Sequence, residues 1–535
     1  MATHKLRQHL GTFTADLAAR HGTRPAVRDP QPTPGLHPGG LRTYGDLERH
    51  VGLLAAAHAE LGRAEGDRVV VAIGNRVDTL LHASALARLG CVPALVNPRL
   101  TPEEARHVAE AAKAVAGVGD AEVLERLELA NVVATSSTED IGEAIAARLD
   151  EGSIERVAPE PRHPGEVTLL LATSGTTGLP KAAALTSHGL LGLSGLLALL
   201  PVGHARGLRA GRDKLLAPLP LAHVMGFAVL LNALSAGIEV LHLPQFDPAD
   251  VLDVIEEQRP NMLVMVPTMY ADLEAACADD RDLTSIQLFC SAADAMPDAR
   301  ARRFQQRGAL ALLGGRRVAP AAFADGYGMV ELSGLAAVRL FPPSWIPLPA
   351  VALVTPSLEV RTVDEAGTPT RPGVVGELQF RGPSVLREYE GRPDAGPDAH
   401  GWFATGDRAR LWPGRVLQFA GREKDRLKVG GFSVFPAEVE HELHDAIDGL
   451  GEVAVVGLPD DRLGDRPVAL VVADAGFDAQ AFLTAARGAV AGYRRPHGVV
   501  VVEEIPRGNN RKVDREAATR IAIDAAASGA LVEIS

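Results

Sequence analysis

Short apolar runs rich in β-branched residues alternate with Ala- and Leu-rich stretches of helical period along most of the chain. The runs Arg68–Ile73, Val167–Ala172, Lys214–Ala217, Met262–Val266, Val453–Gly457 and Val468–Ala473 predict buried strands. Between them, Thr79–Leu89, Pro102–Val115 and Pro248–Gln258 predict helices. Pro102 and Pro248 stand near helix starts, where a missing N–H costs little, and Gly90 and Pro260 mark stops. This alternation argues for an α/β fold with mostly parallel sheets and flanking helices. From Val351 to Phe419 the texture changes. Leu358–Val363 and Gly376–Arg381 are strand-like pieces set between turns such as Arg371-Pro372-Gly373, which predicts an antiparallel β-rich subdomain. After Gly421 the pattern is mixed again. The expected organisation is a large N-terminal domain over 1–420 and a small, mobile α+β C-terminal domain over 421–535.

Composition narrows the function classes. Hydrophobic residues make up 46% of the 535 and charged residues 23%, which suits a soluble globular chain with ample core material. With 54 basic and 67 acidic residues the net charge is −13, so a nucleic-acid partner is not expected. Three scattered cysteines (Cys91, Cys277, Cys290) exclude a disulfide scaffold and a Cys-rich zinc module, and fit a reducing cytoplasm. The first residues lack an apolar signal core and read as an amphipathic helix. The most apolar stretch, Leu190 to Val202, falls short of the roughly 20 residues a spanning helix needs, leaving at most peripheral membrane contact.

Lysine usage changes the picture further. Only seven of the 54 basic residues are lysine: Lys5, Lys113, Lys181, Lys214, Lys424, Lys428 and Lys512. In a chain that writes arginine by default, a lysine marks a place that needs a compact ammonium on a flexible stem. Lys181 closes the run Thr173-Ser174-Gly175-Thr176-Thr177-Gly178-Leu179-Pro180-Lys181, which follows a predicted strand. Glycines and hydroxyl residues in such a turn offer N–H and O–H donors to phosphate oxygens. It is not a Walker A loop, because Pro180 precedes the lysine and Ala182 follows it.

This segment resembles the phosphate-binding loop of the adenylate-forming (AMP-binding) superfamily, of the acyl-CoA synthetase type. Further motifs follow in that family's order. Asp325-Gly326-Tyr327-Gly328-Met329-Val330-Glu331 resembles its YGxTE stretch, and Gly376-Glu377-Leu378 with Arg381-Gly382 its GELxxRG. Gly401–Asp407 resembles GWFxTGD, Gly421–Gly431 the hinge motif, and Pro506–Arg515 the C-terminal PRTxxGKIDR. Lys181, Lys424, Lys428 and Lys512 all fall inside these motifs.

The resemblance implies ATP, Mg²⁺ and coenzyme A as cofactors and co-substrates, and a role for each matched residue. Thr173, Ser174, Gly175, Thr176, Thr177, Gly178 and Lys181 would cradle the triphosphate. Glu331 and Thr173 would hold Mg²⁺, a hard cation that takes oxygen ligands. Tyr327, within Asp325, Gly326 and Gly328, would stack on adenine, while Asp407 and Arg422 bind the ribose side of the nucleotide. Lys512 is implied as the catalytic lysine that holds the substrate carboxylate and the α-phosphate together. Lys424 marks the hinge, and Lys428 with Gly430 and Gly431 marks the turn presented to the incoming thiol after the C-terminal domain rotates. His223, in Pro218-Leu219-Pro220-Leu221-Ala222-His223, matches a position lining the acyl pocket and is a candidate for gating it or shielding the reacting carboxylate.

Pro218 to Phe227 carries no acidic residue to pair with a substrate amine, which argues against an amino acid. The reading preferred from sequence is a medium- or long-chain fatty acid–CoA ligase. Alternatives are an aryl- or cinnamate-type CoA ligase, a ligase loading an acyl carrier protein, and a degenerate nucleotide-binding module; a homodimer stays open. Five positions depart from the family pattern: Val330 for Thr, Ala182 for Gly, Ala292-Ala293 for Gly-Gly, and Arg511 for Gly before the catalytic lysine. His441-Glu442-Leu443-His444 misses the HExxH spacing by one residue and reads as an exposed helix face.

Overall fold

The computed structural model describes residues 9–128, 134–173, 181–192, 209–276, 280–294, 296–314, 316–342, 351–447, 450–460, 462–473, 476–490, 492–508 and 512–533. Among these residues the first large sheet has seven strands. Val167–Thr173, Val92–Leu95, Arg68–Ala72, Ala116–Gly119 and Ala134–Ser137 run parallel, and Lys181–Thr186 and the short Glu388–Tyr389 add antiparallel at one edge. The second has thirteen strands and changes character half-way. Lys214–Ala217, Glu239–His242, Met262–Met265, Leu288–Ala292 and Ala322–Met329 are parallel, as the apolar runs imply. Gly334–Phe341, Val351–Val354, Val416–Arg422, Phe403–Trp412, Val375–Arg381 and Glu359–Val363 continue it antiparallel. One apolar cluster from Leu10 to Leu417 unites both sheets and their helices, whereas residues from Val429 onward bury two clusters of their own.

Local chemistry explains most helix ends. Thr101 and Glu104 form a reciprocal capping box ahead of Pro102–Ala111, with the proline in its first turn. Asp247 caps Pro248–Gln258 one way, its carboxylate accepting the N–H groups of Ala249 and Asp250. The helix predicted to reach Val115 stops at Ala111, because Lys113 turns left-handed (φ 54°) and sends the chain into Ala116–Gly119. The hairpin Ala309–Leu313 with Arg316–Pro320 went unpredicted: its apolar residues are largely solvent-facing and carry no burial pattern to read. No described helix is long and apolar enough to cross a membrane.

Few charges are as deeply placed as Arg88, whose side chain is 0% exposed. It donates to both oxygens of Glu48 (2.6 and 3.0 Å), to Thr14 Oγ1 (3.2 Å) and to the carbonyls of Gly11 and Val157. One guanidinium thereby joins three helices and the 151–166 connection. Arg88→Met would leave Glu48 with the Thr14 hydroxyl but no cation. A loss of about 3 kcal/mol is expected, read as a lower urea midpoint.

Candidate active site

The strands of both sheets deliver their carboxyl ends to one cleft, the place where open α/β sheets bind ligands. It is a continuous space of about 3570 Å³, beyond the few hundred to 1,000 or so Å³ that holds one small molecule, and it is lined by both the large N-terminal part and the residues after Gly421. Thr173 and Lys181 are register partners at the ends of adjacent strands, so the two ends of the glycine- and threonine-rich run are fixed side by side. Ser174, Gly175, Thr176, Thr177 and Gly178 lie outside the described residues, as does Arg511.

Beyond Lys181, Tyr389 organises this end. The Lys181 ammonium lies 4.9 Å from the centre of the Tyr389 ring, and the Tyr389 hydroxyl donates to Glu331 Oε1 at 2.7 Å. Burial and the neighbouring Glu331 push the Tyr389 hydroxyl pKa up, so it stays a donor. Glu331 sits in the single turn Val330–Leu332 after Ala322–Met329. Tyr389 is its one recorded side-chain partner, and no cation of the described residues pairs with it. A cleft carboxylate whose direct side-chain contact among the described residues is one neutral donor, with the Lys512 charge drawn toward it, is suited to a hard divalent cation, so this donor set fits Mg²⁺.

The adjoining wall is anionic and buried. Asp407, 2% exposed, accepts the Tyr327 hydroxyl at 2.5 Å and faces Arg422 at 3.4 Å, its register partner across the strands. Burial raises the Asp407 pKa, opposed by Arg422 and Tyr327. Tyr327 packs toward Phe380 and Phe419, with ring centres 6.3 and 5.8 Å away. Asp325 is bound by Ser291 Oγ at 2.5 Å and by Arg339 at 3.2 Å, yet burial still pushes it up to about 6. It is a wall residue at the base of the nucleotide motif. Gly328 is a steric necessity, since a Cβ there would lie 1.8 Å from the Gly334 carbonyl oxygen, whereas one at Gly326 would press on the end of the Leu335 side chain at 2.6 Å.

Lys512 reaches this wall from the C-terminal part. Its pKa is lowered, first by burial and then by Arg422, while Asp294, Asp407 and Glu331 attract its charge and oppose the shift. Lys512, Asp407 and Glu331, from three separate motifs, therefore share one electrostatic environment. Lys424 lines the same cleft and is 45% exposed. Lys428, Gly430 and Gly431 do not join it. All three are exposed: Lys428 lies in the strand Leu427–Val429, and the two glycines form the turn between it and Phe432–Val434, where both are left-handed (φ 57° and 84°).

The apolar end of the cleft is built on the helix Val224–Ser235. His223 occupies its N-cap position and its side chain makes no capping bond. Val224, Met225, Ala228 and Val229 line the space, and Gly334 comes so close that a Cβ there would sit 3.4 Å from Ala228. His441, His444 and Asp445 belong to Pro436–Ala446; burial, and then the charge of Arg300, lower the His444 pKa to about 4, so that face is less exposed than its pattern suggests. Sequence reasoning missed Tyr389; the scarcity of tyrosine, five in the chain, was the available signal.

Comparison with known proteins agrees with this geometry. Residues 15–390 match the AMP-binding enzyme family and residues 438–512 the C-terminal domain of AMP-binding enzymes. The chain belongs to the AMP-binding enzyme family. The enzyme is 32% identical to a feruloyl-CoA synthase of Amycolatopsis sp over 501 residues, covering 92% of this chain and 96% of that one. It is 27% identical over 481 residues to the long-chain-fatty-acid–CoA ligase FadD13 of Mycobacterium tuberculosis, covering 88% and 91%. The ATP-bound crystal structure of MatB from Rhodopseudomonas palustris superposes with a TM-score of 0.79 at 26% identity, covering 96% and 100%. The enzyme is an AMP-forming acid–CoA ligase that uses ATP and CoA.

Two expectations follow from the site. Ala293, where the family pattern has glycine, holds φ 80°, a left-handed backbone that costs an L-residue about 1–2 kcal/mol. Ala293→Gly is expected to raise the unfolding free energy by about 1 kcal/mol, measured by urea denaturation. Tyr389→Phe removes the donor that orients Glu331. It is expected to raise the KM for MgATP about tenfold while leaving the KM of the acid within twofold, measured by pyrophosphate release.

Proposed function

We propose that this ligase activates an apolar aryl carboxylic acid carrying a hydroxyl group, of the hydroxycinnamate kind. The observation that carries the reading is Asn232. It lines the otherwise apolar wall of the cleft, its amide nitrogen donates to the carbonyls of Leu190 and Ala228, and its Oδ1 is buried with no hydrogen-bond partner among the described residues. A buried acceptor left unpaired is costly, and a hydroxyl on the substrate would satisfy it. A plain alkyl chain would not. The similarity to a feruloyl-CoA synthase supports the same class. A medium- or long-chain fatty acid is the second reading, favoured by the likeness to FadD13.

In the proposed mechanism a carboxylate oxygen attacks the α-phosphorus of ATP and the bond to pyrophosphate breaks. Lys181 and the residues after Thr173 hold the polyphosphate, and Lys512 neutralises the two approaching anions so that they can meet in line. Glu331 and Thr173 would hold Mg²⁺, which when bound supplies further charge neutralisation. Tyr327, Asp407 and Arg422 orient the nucleoside. CoA sulfur then attacks the acyl carbonyl, the thioester bond forms and AMP departs. We assign this second step to a rotated placement of residues 421–535, hinged near Lys424, with the Gly430-Gly431 turn brought to the thiol path in place of Lys512.

Pyrophosphate release with 4-coumarate, ferulate, cinnamate, benzoate and saturated C6 to C18 acids, with and without CoA, tests the reading. The highest kcat/KM is expected for the hydroxylated phenylpropenoates. Asn232→Leu should lower that value about tenfold, the worth of one buried hydrogen bond, and leave cinnamate and the alkyl acids within twofold. A preference for C12 to C18 acids, unmoved by Asn232→Leu, would replace this reading with the fatty-acid one.

A further inference from the structure

His223 and Asn97 face one another across the mouth of the apolar end of the cleft. Both line it, and they come from separate sheets 126 positions apart in the chain. Asn97 follows the carboxyl end of Val92–Leu95 in the loop Asn97-Pro98-Arg99. Its Oδ1 accepts the backbone N–H of Arg99 at 2.9 Å, which fixes the two ends of the amide. The NH₂ end is thereby the one that lies 3.2 Å from His223 Nε2. An amide nitrogen can only donate, so the atom it faces must offer a lone pair.

We propose that Asn97 is a positioning residue that holds His223 neutral, with Nε2 as acceptor and the ring proton on Nδ1. The surroundings act in the same direction. The residue is exposed at the cleft mouth and sits ahead of an apolar helix without capping it; the protein atoms packed around the ring and then the Arg99 guanidinium lower its pKa. Protonating Nε2 would set two donors against each other and bring a second cation beside Arg99.

The consequence bears on catalysis and rests on the cleft receiving a carboxylate, as proposed above. An imidazolium at this mouth would ion-pair with the incoming carboxylate and hold it in the ground state, which weakens it as a nucleophile. A neutral ring cannot. It offers one Nδ1–H donor, able to steady a carboxylate or the adenylate carbonyl without neutralising it. On this account His223 neither accepts nor delivers a proton during turnover. Asn97 would thus set how the acid is received while touching neither ATP nor CoA.

The test reads the ring directly. In uniformly ¹⁵N-histidine-labelled enzyme, His223 is assigned as the resonance pair lost in His223→Gln. The wild type is expected to show the neutral Nδ1–H tautomer throughout pH 6 to 8. Asn97→Asp places an acceptor against Nε2, and should convert the ring to the Nε2–H or imidazolium form with an ionisation inside that range. The KM of the acid in Asn97→Asp should then vary at least threefold between pH 6 and 8, against less than 1.5-fold in the wild type. His223→Gln in the Asn97→Asp background should abolish that dependence. An Nε2–H ring in the wild type overturns the proposal even if Asn97→Asp does not fold, as does a folded Asn97→Asp variant with an unchanged tautomer. Failure of every acid in the panel would count against the substrate assignment and leave the tautomer measurement standing.

Discussion

A carboxylate buried to 2% exposure survives as an anion only if its partners are fixed, and Asp407 is held between Tyr327 and Arg422. Those contacts tie the site together. Tyr327 belongs to the strand that carries Gly326, Gly328 and, one turn later, Glu331. Arg422 ends the last strand of the large sheet and is followed directly by the turn containing Lys424. Lys512 completes the same charge balance, its ammonium drawn by Asp407 and Glu331 and repelled by Arg422. The wall around Asp407 and the placement of Lys512 from the C-terminal part are therefore one electrostatic arrangement. Disturbing Asp407 would be felt in both.

How much of this was legible in the chain depended on the range of the interaction. The strands Lys214–Ala217 and Met262–Met265 and the helix Pro248–Gln258 were readable because apolar period and caps are local signals. The scarcity of lysine pointed to Lys181 and Lys512, since an arginine-biased chain spends lysine where a point charge is needed. Tyr389 meets Glu331 from 58 positions away, and Asn97 meets His223 from 126. Nothing periodic announces either pair. Both exist because the two sheets turn their carboxyl edges to the same cleft.

The departures from the family pattern divide by physical effect. Ala293 keeps a backbone conformation that glycine adopts freely, and so carries strain beside the nucleotide wall. Val330 offers a methyl surface where the family has a hydroxyl, in the turn just before Glu331. Neither disturbs the charged framework, because Lys181, Glu331, Asp407, Arg422 and Lys512 all reach the cleft.

The two-residue strand Glu388–Tyr389 looks like a trivial addition to the seven-stranded sheet, and its next residue shows otherwise. Glu390, 9% exposed, is gripped by Arg68 at 2.9 Å and Lys113 at 3.3 Å, both belonging to the distant side of that sheet. The tyrosine that orients Glu331 is thus moored by a partly exposed ionic anchor. Dissolved salt screens such anchors as readily as it screens polyphosphate. On the role proposed for Glu331, the grip on the nucleotide answers to ionic strength twice, once through the ligand's own charge and once through the mooring of Tyr389.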